Sequence, residues 1–152
     1  MLFFLIKMKT SFRFLLMVLL SGCTGMLCAQ ILDVHITNIR NTKGQLCLAI
    51  FADEAGFKAE KTCWVIKCDK KNFINGEFQI RIDFRPGTYG ISVLDDENYN
   101  GKMDYNLFRI PREGFGFSNY FHKGILKPSF DDFKFGLQKN ETKKLFVKMK
   151  YF

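Results

Sequence analysis

The residues with the clearest chemical potential are Asp96, Asn98, Asn100, Gly101 and Asp104. Oxygen-bearing side chains at alternate positions, followed by a glycine at the sixth, are what a loop needs to wrap a hard divalent cation. Alternate side chains point inward, and the glycine permits the sharp turn. Asp104 would fill the ninth position. Leu107 occupies the twelfth, where a bidentate carboxylate would stand, so a backbone carbonyl, Asp95 or Glu113 would have to replace it. Two carboxylates and two amides make a weak cage, with an expected Kd for Ca²⁺ of about 10⁻⁴–10⁻³ M. The competing reading is plain turn chemistry, in which Asp and Asn cap their own backbone.

Downstream of these residues come Phe108, Phe115, Phe117, Tyr120 and Phe121, spaced by Gly114 and Gly116. Phe108, Phe115, Phe117 and Tyr120 are candidates for an aromatic surface that binds a glycan or a protein, because rings offer contact area at low entropic cost. Alternatively the rings fold back and plug the end of the domain. Catalytic signals are thin. Ser118 and His122 are close in sequence, but no nucleophile elbow or orienting acid accompanies them. The acids at 95, 96, 97 and 104 are clustered in one segment, whereas glycan hydrolysis needs carboxylates on facing elements. Cys47, Cys63 and Cys68 allow at most one internal disulfide. No Cys-x-x-Cys motif is present.

The elements around this segment read as strands. Leu32, Val34 and Ile36 alternate with polar residues, and so do Phe78, Ile80 and Ile82, and Leu145, Val147 and Met149. Period-two alternation marks half-buried strands. The expected strands are 31–40, 45–51, 61–68, 77–84, 89–94, 130–137 and 142–149, with a hairpin joining the first two and a short helical turn in 52–60. No convincing amphipathic helix is visible. The expected fold is therefore all-β: a two-sheet antiparallel β-sandwich of about seven strands with one long structured loop over 95–128. Long ordered loops are often functional.

Residues 1–29 read as a secretory signal, with basic residues, then the apolar run Phe14–Leu20, then small residues. Residues 30–152 would then form the single domain. Two processing readings stay open. Cleavage after Ala29 releases a soluble periplasmic or extracellular product. Alternatively Leu20-Ser21-Gly22-Cys23 acts as a lipobox, and acylation of Cys23 makes an outer-membrane lipoprotein anchored to the membrane only through its lipid. The chain has 23 basic and 15 acidic residues; Lys7, Lys9 and Arg13 fall in the leader, which has no acids. The remaining excess is modest and dispersed, without the basic stripe of a nucleic-acid face.

The segments Lys43–Phe57, Arg85–Asn119 and Lys127–Phe135 resemble a bacterial family catalogued as domain of unknown function 2141. The resemblance runs from about Leu32 to Tyr151 and is most specific between Pro86 and Asn119. Matching positions are Pro86, Gly87 and Tyr89 in a turn, and Asp96, Glu97, Asn98, Asn100, Gly101, Lys102 and Asp104 in the loop. Ile110, Pro111, Glu113, Gly114, Gly116, Phe117, Ser118 and Asn119 follow. Asp95 stands where His is common, Arg109 where Gly is common and Phe115 where Tyr is common. The resemblance implies an exported protein with a transthyretin-like sandwich, and no established activity. The expected role is a non-enzymatic binding or structural module of the cell envelope, with an envelope protein or glycan as partner and Ca²⁺ as the one candidate cofactor. An accessory or adhesin-like lipoprotein and an extracytoplasmic hydrolase are the alternatives.

Overall fold

Leu32, Val34 and Ile36 all face one side of β1 (Ile31–Thr37) and are fully buried. The same alternation marks β3 (Trp64–Asp69) and β4 (Phe78–Asp83), while β2 (Gln45–Phe51) and much of β5 (Gly87–Asp96) are covered on both faces. Alternation also marks β7 (Lys134–Leu137) and β8 (Thr142–Lys148). Two helices, α1 (Glu54–Lys58) and α2 (Phe130–Phe133), and a short strand β6 (Gly114–Phe117) complete the set. The computed structural model describes residues 30–152 except 72, 74 and 125. The signal expected over 1–29 and the lipidation candidate Cys23 lie outside the described residues.

The strands form two sheets, in the orders β4-β1-β8 and β3-β2-β5-β6, with β7 also on β5. β6 pairs with the second half of β5 (Ser92↔Phe117 to Asp95↔Gly114) and β7 with the first half (Gly87↔Leu137 to Gly90↔Lys134). Both therefore lie along the edge of β5 away from β2. The core is the space between the sheets. Leu32, Val34, Ile36, Leu145 and Val147 on one side meet Leu46, Leu48, Ile50, Ile91, Val93 and Leu137 on the other. This is the two-layer solution that one-sided sheets require, and the all-β sandwich expectation holds.

Several boundaries differ from expectation. β1 and β2 do not form a hairpin. β1 pairs antiparallel with β4 and parallel with β8, so the link between β1 and β2 crosses from one sheet to the other. Residues 130–133 are helical, not extended, because Phe130 and Phe133 must turn together onto the outer face of the larger sheet. There they join Phe51, Phe57 and Phe117 in a second apolar cluster. Phe133 occupies the space where a Cβ on Gly90 would be. The two helices brace each other: Asp53 caps α1 by accepting from the Gly56 amide at 2.6 Å, and Glu54 accepts from the first amide of α2, Phe130, at 2.6 Å. β6 lies inside the segment expected to be irregular. Cys47, Cys63 and Cys68 are all free.

Candidate functional site

Strand parity builds the floor of the site. Ile91 and Val93 point into the core from β5, and two residues on, so does Asp95. Ile66 and Cys68 point inward from β3, and Lys70 follows them. Leu145, Val147 and Met149 point inward, and Tyr151 continues their row. Three polar side chains on three elements thus meet at one end of the core. Lys70 and Asp95 are both 0% exposed, and the Lys70 ammonium contacts Asp95 Oδ1. Asn41 Oδ1 accepts a further bond from Lys70 at 3.3 Å, and the Tyr151 hydroxyl donates to Asp95 Oδ2 at 2.7 Å. Buried charges need this degree of pairing. Burial and the bond to Asp95 push the Tyr151 hydroxyl well above its ordinary pKa. The Arg40 guanidinium lies 4.7 Å over the Tyr151 ring, and the Arg40 amide donates to the Tyr151 oxygen at 3.1 Å.

Above this floor two carboxylates hold the loop. Asp96, next to Asp95 in β5, points the other way. It accepts from the Asn100 amide (3.0 Å), the Gly101 amide (2.9 Å) and Gln45 Nε2 (2.6 Å). Glu113, at the loop's far end, accepts from the Glu97 amide (3.1 Å) and the Asp104 amide (3.2 Å). Burial raises the Glu113 carboxyl above the usual range, with Asp104 and Asp96 adding repulsion against its two backbone bonds. Burial also works against ionisation of Glu97, yet the bonds from Arg40 (2.6 Å) and Asn41 (2.9 Å) bring that carboxyl below its ordinary value.

The four metal candidates are brought together, but in a self-satisfied arrangement. Asn98 Nδ2 and Asn100 Nδ2 both donate to Asp104 Oδ2, at 2.7 and 3.1 Å. Asn98 Oδ1 accepts from the Asn100 amide and Asn100 Oδ1 from the Lys102 amide. Asp96 is buried and occupied by backbone and Gln45 donors. Among the described residues no three His, Cys, Asp or Glu side chains converge as a metal-holding group. To offer oxygens to a cation beside Asp104, Asn98 and Asn100 would have to turn their amides.

Beyond the turn held by Asp96 and Glu113 the chain makes a small tip. Tyr105 bridges Pro111, and Asn106 Oδ1 accepts from the Phe108 and Ile110 amides at 2.9 and 3.0 Å. This turn pushes Leu107 (99% exposed) and Phe108 (83% exposed) into solvent, beside a shallow, open notch of about 350 Å³ lined also by Tyr105 and Arg112. Of the four candidate surface rings, only Phe108 is exposed. Phe115 and Tyr120 are half-buried, and Phe117 belongs to the second apolar cluster, because the outer-facing parity of β6 turns it onto Phe57 and Phe133.

Ser118 and His122 do not form a couple. The Ser118 hydroxyl donates to the Phe133 carbonyl (2.7 Å) and accepts from the Ile91 amide (3.0 Å), while neither ring nitrogen of the buried His122 has a partner. His122 instead packs against Phe115, Phe117 and Tyr120. His35 sits on the outer face of β1 beside Asp33, Gln79 and Phe146.

The sequence reading missed Lys70, Tyr151, Gln45 and Arg40. The signal was the unbroken inward parity of Lys70 and Tyr151, obscured because charged and hydroxylated residues are ordinarily placed outward. The chain belongs to a bacterial family, DUF2141, described as an uncharacterised protein conserved in bacteria, whose model matches residues 34–144. Neither the curated proteins nor the solved structures contain a match to it.

Proposed function

We propose that this DUF2141 member is an exported, non-catalytic binding module of the bacterial cell envelope that presents the tip of its 97–112 loop to a protein or glycan partner. One observation carries the reading: the apolar tip at Leu107 and Phe108 stands in solvent on a loop whose base is tied down by Asp96 and Glu113. A rigid platform with an exposed apolar anchor loses little entropy on association, which favours binding. The leader pattern at 1–29 supports export to the periplasm or beyond, with the Cys23 lipid anchor as the variant form.

A photo-activatable phenylalanine analogue at position 107, introduced in the producing cells, is expected to yield a discrete adduct. The same analogue at Lys139, an exposed residue at the opposite end of the sandwich, is expected to yield none. No adduct at 107, or the same adducts from both positions, would dismiss the role of the tip.

Calcium binding is a second reading, supported by the convergence of Asp96, Asn98, Asn100 and Asp104 on one turn. Titration calorimetry at millimolar Ca²⁺ is expected to give heat that is lost in Asp104→Ala. A flat titration of the unaltered protein removes this reading and leaves the tip proposal standing.

A further inference from the structure

We propose that Lys70 and Asp95 condense into an intramolecular isopeptide bond once the domain has folded. The two side chains are fully buried and in direct contact, one from the residue just past β3 and the other from β5. Lys70 reaches across the start of β2 to the end of β5, and its backbone amide is fixed by the Gly44 carbonyl at 3.2 Å. Asn41 Oδ1 holds the amine from another side, and the Tyr151 hydroxyl, itself fed by the Arg40 amide, donates to Asp95 Oδ2.

This arrangement removes the two obstacles to amide formation from an amine and an acid. The pair is shut off from solvent and the amine is held against the carboxyl group, and fixing two reactants together in this way can raise the effective concentration to about 10⁵ M or more. A salt bridge at this depth also carries a desolvation cost for both charges, and condensation eliminates both.

The step balances without a co-reactant. One ammonium proton passes along the existing hydrogen bond to Asp95 Oδ1, giving an amine and a carboxylic acid. Nζ attacks Cγ, and the negative charge that develops on Oδ2 is met by the Tyr151 hydroxyl, as in an oxyanion hole. A second proton moves from Nζ to Oδ1, the Cγ–Oδ1 bond breaks, and water leaves. The Nζ–Cγ amide remains, tying β3 to β5 beneath the loop. This bond does not depend on the tip's partner.

Denaturing intact-mass spectrometry of the folded, purified protein tests it. The expected mass is one water below that of the chain from its own N-terminus. Trypsin should then leave Lys70 uncut and yield a branched peptide joining Cys68–Lys71 to Ile82–Lys102. Lys70→Arg and Asp95→Ala should both show the full uncondensed mass, and Asp95→Asn should lose ammonia in place of water. Because the readout is taken in denaturant on the unaltered protein, it does not depend on whether the variants fold. A folded wild-type population at the uncondensed mass with free cleavage after Lys70, or a water loss mapped to another pair of residues, overturns the proposal.

Discussion

Asp95 and Asp96 are neighbours of the same type with opposite tasks. Asp95 closes the core by pairing with Lys70, while Asp96 faces away and collects the loop's amides. Period-two geometry alone separates them. Gly44 is bound to the same region: it adopts φ +74°, and a Cβ there would lie 2.0 Å from the Asp96 carbonyl oxygen. Gly44→Ala is therefore expected to cost about 2 kcal/mol or more, combining left-handed strain with a backbone clash, and to lower the urea midpoint accordingly.

Cys47 gives a pH signature. Burial, then the nearby Asp96 carboxylate, pushes its thiol up to about 11 from its ordinary value of 9.0. The folded state holds this proton more tightly than the unfolded state. The contribution is complete below about pH 9 and is lost as pH rises through about 11, a loss on the order of 2 kcal/mol. Urea midpoints measured from pH 8 to pH 11 should fall more steeply for the wild type than for Cys47→Ala. Parallel alkaline limbs would assign the decline to other groups.

The loop between β5 and β6 is held at its two ends and free at its tip, so its stability should divide in the same way. Glu113→Ala removes the acceptor for the Glu97 and Asp104 amides. Those two amides should exchange with solvent about fivefold faster or more, since each lost hydrogen bond is worth roughly 1 kcal/mol. Strand amides in β1 and β2 should keep their protection. Uniformly faster exchange would mean that Glu113 supports the whole fold and not the loop alone. Alternation made most strands legible because one face of each is buried. β6 escaped because Gly114, Phe115, Gly116 and Phe117 offer four residues, two without side chains, in a stretch dominated by turn formers. Residues 130–133 were misread because Phe130 and Phe133 fit a strand pattern as well as a helical turn when so few residues are considered. The oxygen-rich loop was visible in its residue types. The Lys70–Asp95–Tyr151 floor was not, because it depends on which strands are neighbours in space.

The two sheets are closed by residues far apart in sequence: Ile31 pairs with Thr142, and Thr37 with Lys148, in parallel register. β1 sits at the centre of the smaller sheet, so β8 is one of its two partners and also supplies Leu145, Val147 and, just beyond, Met149 to the core. The domain cannot close until the β8 segment is available, a property suited to a chain that crosses a membrane unfolded, as the proposed export requires. A chain ending at Lys139 should therefore have no stable fold. It forfeits three fully buried apolar side chains, each worth about 1.5–3 kcal/mol, against a typical total of roughly 5–15 kcal/mol. It also leaves one edge of β1 unpaired and strips Tyr151 from Asp95. Its far-ultraviolet circular dichroism should show no cooperative thermal transition, and supplying residues 140–152 as a separate peptide should restore one. A truncated chain that melts cooperatively near the full-length temperature would show that β1 and β4 hold the smaller sheet without β8, and that closure does not wait for the last strand.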